Sequence, residues 1–176
     1  MSFEYQALVG LPYELGRNDC YSLIRDFYDI NFGLKFTNYA RPDFWWDHGL
    51  DLYMENMRAE GFRVFDGHPK DYQPGDGFLM AIKSPVANHG AILLHDGRIL
   101  HHLAGCLSRV ETYNRSFFRD ATVAVVRHPA VTAALPKVAT TNLDLMELLD
   151  PNVRAKLAAA LPPGRIGEGG LHPQDG

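Results

Sequence analysis

Cys20 is the residue whose neighbours best prepare it to act as a nucleophile. It follows Arg17-Asn18-Asp19 and opens a stretch in which Leu23, Ile24, Phe27 and Tyr28 recur at the three-to-four spacing of a buried helical stripe. Asn18 and Asp19 are N-cap residues and Asn31-Phe32-Gly33 is a stop, so Cys20 is expected on the first turn of a helix. Unpaired backbone N–H groups and the positive end of the helix dipole favour a thiolate there, and the thiol is expected to titrate below the free value of about 8.5. Asp19 opposes this, because a neighbouring carboxylate raises a thiol pKa. A small buried apolar cysteine is the competing account. Cys106, after Gly105 in a loop, shows none of these signals.

A nucleophilic thiol needs a base, and a predicted hairpin sorts the histidines. Strands are expected over 89–94 and 98–103, joined by His95-Asp96-Gly97. With that three-residue loop and Gly97 as its left-handed residue, Leu94 pairs with Arg98, Ala91 lies opposite His101, and His89 and His101 are diagonal neighbours on one face. His102 then points to the other side. A two-residue Asp96-Gly97 loop would put His102 with His89 instead. In the first register the face reads His89, Ala91, Leu93, Ile99, His101, Leu103. Two imidazoles on an apolar face are costly unless hydrogen-bonded or used. A helix-start thiol packed against such a strand makes a nucleophile, a base and an orienting residue, the arrangement of a thiol hydrolase. Zinc is the rival chemistry, but neither HExxH nor CxxC occurs, and no third ligand is evident beside the best histidine pair.

The surrounding elements fit this placement. Residues 3–9 read as a short helix or lead-in, and Gly10-Leu11-Pro12-Tyr13 as a breaker-rich loop feeding the Cys20 turn. Residues 37–46 are aromatic and irregular, with Phe44, Trp45 and Trp46 as candidates for a groove wall. A second helix is expected over 50–61, with Leu52, Met54, Met57 and Ala59 partly periodic. After the turn Pro74-Gly75-Asp76 come strands over 77–82, 89–94, 98–103, 107–113 and 121–126. Helices first and a meander of strands second predict an α+β domain with an antiparallel sheet. The domain is expected over residues 1–129. The remainder, 130–176, reads as an extension with short helical segments at 142–149 and 152–161 and a Gly/Pro-rich end.

Composition excludes several classes. Lys and Arg number 17 against 21 Asp and Glu, a net charge of −4, so no basic face suggests a nucleic-acid partner. No run is long and apolar enough for a membrane span, and no basic-then-apolar leader is visible. Two cysteines make a disulfide framework unexpected. No cofactor is expected.

The ordered set Gly10-Leu11-Pro12-Tyr13-Glu14-Leu15-Gly16-Arg17-Asn18-Asp19-Cys20, Pro74-Gly75-Asp76, Asn88-His89-Gly90-Ala91-Ile92 and Gly97-Arg98-Ile99-Leu100-His101 resembles the NlpC-type cell-wall cysteine peptidases. Tyr21-Ser22 after the cysteine, where many members have Ser-Gly, is closer to the phage tail-assembly branch. The resemblance implies a papain-like α+β fold with Cys20 as nucleophile, His89 as base and His101 as orienting residue. It implies that Tyr13 lies over the cysteine, and that Asp19 and Tyr21 join it around the substrate and the oxyanion. The implied substrate is the peptidoglycan stem peptide, typically its D-isoglutamyl–diaminopimelate bond. The implied setting is a phage or phage-like tail tip beside other tail-tip proteins, with the virion or the host cytoplasm during assembly as location. A structural tail component, or a thiol amidase or acyltransferase, are the alternatives.

Overall fold

A computed structural model of the chain describes residues 2–134. The chain divides into a compact unit, Met1–Pro136, and a second, Lys137–Gly176. The helical segments expected at 142–149 and 152–161 lie outside the described residues.

Helix α1 spans Cys20–Phe32, as the stripe and its flanking residues predict. Asp19 caps it by accepting from the Ser22 N–H, and Gly33 ends it at φ 67°, a conformation that glycine adopts without steric cost. Leu23, Ile24, Phe27 and Tyr28 are buried, and truncating a ring such as Phe27 to alanine would cost about 3–5 kcal/mol. Helix α2 spans Leu52–Ala59, capped by Asp51. Its buried residues are Tyr53 and Met57, one turn apart, rather than Leu52, Met54 and Ala59. Among the described residues no helix is long and apolar enough to cross a membrane.

Among the described residues six strands form one antiparallel sheet: β1 Arg63–Val64, β2 Gly77–Met80, β3 His89–Leu93, β4 Arg98–His101, β5 Arg109–Thr112 and β6 Thr122–Arg127. Their order is β1-β6-β2-β3-β4-β5. The fold class is therefore α+β, as expected, but the chain is a meander only from β2 to β5. A short helix α3, Ser116–Ala121, carries it back so that β6 lies beside β2. Neither α3 nor the two-residue β1 is long enough to show a period in sequence.

The hairpin register decides between the histidines. Ala91 pairs with His101, Ile92 with Leu100 and Leu93 with Ile99. The Leu94 N–H donates to the Arg98 carbonyl, and Gly97 has φ 74°, so the loop has three residues.

Pleating separates two apolar clusters. Leu79, Ile92 and Leu100 pack with Cys20, Ile24, Phe27 and Tyr28 of α1 on one face. Ala91, Leu93 and Ile99 pack with Phe78, Met80, Val125 and Phe118 of α3 on the other. Gly90 permits close approach of α1 to β3, since a Cβ there would lie 2.6 Å from Ile24 Cδ1. A further helix, α4 Pro129–Ala134, buries Val131 in the larger cluster, so the folded unit continues past Pro129.

At the far end of the sheet, the Pro74-Gly75-Asp76 turn is structural. Gly75 has φ 95°, and the buried Asp76 carboxylate accepts from the Gln73 N–H and from Arg127 of β6 at 2.6 and 2.7 Å.

Candidate active site

The loop before α1 is built to present Cys20. The backbones of Glu14 and Asn18 pair across a tight turn in which Gly16 has φ 82°. The turn aims the Gly16 N–H at Asp19 Oδ2, 2.7 Å away, while Oδ1 accepts from Ser22. Arg41 completes the cap from 22 residues downstream, with Nε donating to Asp19 Oδ2 at 2.7 Å and Nη2 to Ser22 Oγ at 3.2 Å. Both charged side chains are essentially inaccessible, at 1% and 0% exposure. Burial alone would raise the Asp19 carboxyl, but the Ser22 N–H and the Arg41 charge hold it below its ordinary value. The remaining Arg41 donors reach the Tyr39 carbonyl and Asn38 Oδ1, and its guanidinium lies 4.8 Å over the Tyr21 ring.

Cys20 and His89 line a single cleft of about 200 Å³ at the end of the sheet where β3 begins. Tyr13, Trp46, Ile82, Asn88 and His102 share it. Alternation sends the Gly90 position toward α1 and His89 toward the opposite face, so thiol and imidazole reach the cleft from the two sides of the sheet. Asn88 fixes the approach to β3 by bonding the Ile82 N–H and carbonyl at 2.8 and 3.1 Å.

Behind His89 runs a chain of contacts across three strands. His89 Nε2 and His101 Nδ1 are 3.3 Å apart. His101 Nε2 lies 3.0 Å from Glu111 Oε2 on β5. Glu111 in turn accepts from Arg109 Nε at 2.9 Å and Arg115 Nη1 at 2.5 Å. Burial, then the neighbouring imidazoles, push His89 down to about 3. His101 is also lowered by burial, with Glu111 opposing. For Glu111, burial is outweighed by Arg109 and His101, and the carboxyl lies below its ordinary value.

The thiol departs from expectation. Burial pushes Cys20 up to about 11, and Asp19 adds to the rise. Opposing this, Sγ lies 2.9 Å from Tyr53 Oη, and the Gly90 backbone also favours the thiolate. The helix start does not offset the desolvation of a thiol with 4% exposure. At neutral pH the site therefore pairs a neutral thiol with a neutral imidazole.

The other expected residues divide. Tyr13 is in the cleft, half-buried, with its ring edge-on to His102 at 5.3 Å. Its loop is clipped in place by Ser108, whose Oγ donates to the Leu8 carbonyl at 2.7 Å and accepts from the Leu11 N–H at 2.9 Å. Asp19 and Tyr21 do not bring side chains to the cleft. The Asp19 carboxylate is consumed by the cap, and the buried Tyr21 hydroxyl donates to the Thr37 carbonyl at 3.0 Å. What Tyr21 can offer there is its backbone N–H, which a helix start leaves without an intrahelical partner. His102 was expected on the opposite face from His89. It lies past the end of β4, where alternation no longer applies, and its ring lines the cleft with Nε2 donating to the Cys106 carbonyl at 3.1 Å. Of the aromatic trio, Trp46 reaches the cleft, Trp45 is buried against Tyr53, and Phe44 is exposed. Among the described residues no group of three His, Cys, Asp or Glu side chains is placed to hold a metal ion.

Arg41, Tyr53 and Glu111 were missed from sequence. A lone cation amid aromatics was the available sign of Arg41, and alternation within 107–113 would have set Glu111 on the His101 side. Tyr53 gave no sign beyond its helix.

The chain is 38% identical over 127 residues to tail tip assembly protein K of Escherichia phage lambda, covering 72% of this chain and 62% of that protein. It is 33% identical over 126 residues to the protein of the same name from Escherichia phage N15, covering 70% and 50%. The chain thus spans only part of the length of these relatives. Among solved structures, an NlpC/P60 family protein of Bacillus cereus superposes with a TM-score of 0.48 at 17% identity, over 68% of this chain and 36% of that one. A lipoprotein-like NLP/P60 family protein of Staphylococcus aureus gives 0.47 at 16%, over 72% and 43%. Residues 10–127 match the NlpC/P60 family along their whole run, from the loop before Cys20 to the end of β6, and this chain belongs to that family.

Proposed function

We propose that this chain is a cysteine endopeptidase that cuts the peptidoglycan stem peptide, at a D-isoglutamyl–diaminopimelate type of bond, as a component of a phage or phage-like tail tip. The observation that carries this reading is the meeting of Cys20 and His89 in one cleft, with His101 behind the imidazole. His89 Nδ1 takes the thiol proton as Sγ attacks the scissile carbonyl carbon. The backbone N–H groups of Cys20 and Tyr21 face the oxyanion. Collapse breaks the C–N bond, and the imidazolium returns the proton to the leaving amine. His89 then takes a proton from water, which attacks the thioester and releases the acid and the thiol. Because thiol and imidazole begin neutral, proton transfer accompanies attack rather than preceding it. Tyr13 and Trp46 flank the substrate.

The two phage relatives are named as tail tip assembly proteins, which supports a place in the tail and contacts with other tail-tip proteins. Residues beyond α4 would make such contacts, with the cut between domain and extension falling after α4 rather than at Pro129. A second reading, a structural tail component with little activity, is favoured by the burial and high pKa of the thiol. Digestion of purified peptidoglycan by the full chain and by Cys20→Ala, with mass analysis of products, decides. A cut stem peptide lost in the variant supports the peptidase. No product in either favours the structural role, and a different broken bond indicates an amidase or acyltransferase.

A further inference from the structure

A base of this kind must keep its lone pair on the nitrogen facing the thiol, and nothing in His89 itself decides which nitrogen that is. The contacts behind it do. Glu111 is held by Arg109 and Arg115 and is ionised at neutral pH, so its oxygens only accept. His101 Nε2, 3.0 Å from Glu111 Oε2, must therefore carry the hydrogen. A neutral His101 then has its lone pair on Nδ1, the atom 3.3 Å from His89 Nε2. His89 Nε2 must donate, which leaves the lone pair on Nδ1. Each step follows from donor and acceptor inventory alone.

We propose that Glu111 is a positioning residue that sets the tautomer of His89 through His101, with Arg109 and Arg115 keeping it an acceptor. The register supports this independently. Glu111 lies opposite Ile99 and Arg109 opposite His101, so Glu111 is the diagonal neighbour of His101 on the same sheet face. His101 Nε2 is enclosed there, its ring edge-on to Phe118 at 5.0 Å and its side chain without exposure. In the alternative tautomer the enclosed, bare Nε2 would face the Glu111 carboxylate, two acceptors with no hydrogen between them, so that tautomer is disfavoured as well as unneeded. The inference deepens the peptidase reading and rests on it for its consequence, but its physical content is a proton position in the resting protein.

Long-range ¹H–¹⁵N correlation spectra of the full chain report that position directly. At neutral pH the wild type is expected to show His89 and His101 both protonated on Nε2 and bare on Nδ1. Glu111→Ala should give mixed tautomers at both rings and lower kcat by roughly tenfold or more, with KM little changed. Glu111→Gln retains an acceptor oxygen and should restore the wild-type ring pattern and most of the rate. His89 protonated on Nδ1 in the wild type overturns the proposal without any variant, which covers the case of an alanine variant that fails to fold. Unchanged tautomers in a folded Glu111→Ala overturn it equally. If the ring pattern is as expected but no peptide is cut by the wild type, the peptidase reading fails and the tautomer assignment stands.

Discussion

The two faces of the sheet each supply half of the site, and they hold their halves by different means. On the α1 face the thiol is fixed by a helix cap, and the cap is a buried ion pair between Asp19 and Arg41 that closes against Gly16 and Ser22. On the opposite face His89 is fixed by side-chain contacts that cross β4 and β5 and end at arginines on the surface. Damage to the first face should register as lost stability and altered thiol acidity. Damage to the second should leave the fold standing and move a proton.

The largest effect tests whether the faces act as one. Cys20→Ala and His89→Ala should each lower turnover by roughly 10⁴-fold, and the double variant should be little worse than either, since nucleophile and base work as a unit. Additive losses in single-turnover assays would separate the halves.

Next comes the cap. Arg41→Met leaves the Asp19 carboxylate buried without its partner and should cost about 3–5 kcal/mol in denaturant unfolding. A loss below about 1 kcal/mol, the range of an exposed pair, would mean the cap does not hold the thiol face.

On the imidazole face, His101→Ala should lose roughly 10²-fold in kcat while His101→Asn and His101→Gln keep appreciable activity. His102→Ala should act through stability, because its Nε2 is committed to the Cys106 carbonyl. Urea midpoints on this variant set will show whether the fold stands throughout.

The imidazole face should also govern acid sensitivity. His89 falls from an ordinary 6.5 to about 3, and His101 and His102 are lowered in the same direction. Below 6.5 the unfolded chain therefore binds protons that the folded chain refuses. Stability present above that pH is lost as the pH falls through the window toward 3. His89→Gln should flatten that decline across the window from 6.5 toward 3. A stability flat from pH 7 to 5 would contradict the burial of these rings.

The smallest effect concerns Tyr53. Tyr53→Phe removes a hydrogen bond that favours the thiolate and should push Cys20 further above about 11. The alkylation rate at pH 9–10 should fall a few-fold, for a bond worth about 1 kcal/mol. An unchanged rate, or modification confined to Cys106, would remove Tyr53 from the site.

Much of the imidazole face was legible because period-two alternation and an odd loop length fix which side chains share a side. That is why His101, and not His102, could be placed beside His89. Helix α1 was legible for a similar local reason, with cap, stripe and stop all within Asp19–Gly33. Arg41 was not, since it lies in an irregular stretch whose path no periodicity predicts. Glu111 needed the register of a four-residue edge strand. The thiol's acidity was misjudged because the helix start can be read from sequence, whereas the burial that outweighs it belongs to the assembled fold.

Ser108 carries one further consequence, for the order in which the molecule is made. Its hydroxyl bonds Leu8 and Leu11 across 100 and 97 residues of chain, and those bonds hold the loop that bears Tyr13. Contacts so distant in sequence close late, after the hairpin and α1 have their own local partners. A nascent chain that has not yet exposed Ser108 to its N-terminal loop has Cys20 but no finished wall beside it. Completion of the cleft is thus tied to near-completion of synthesis of the domain, and a chain interrupted before β5 would carry the nucleophile without its enclosure.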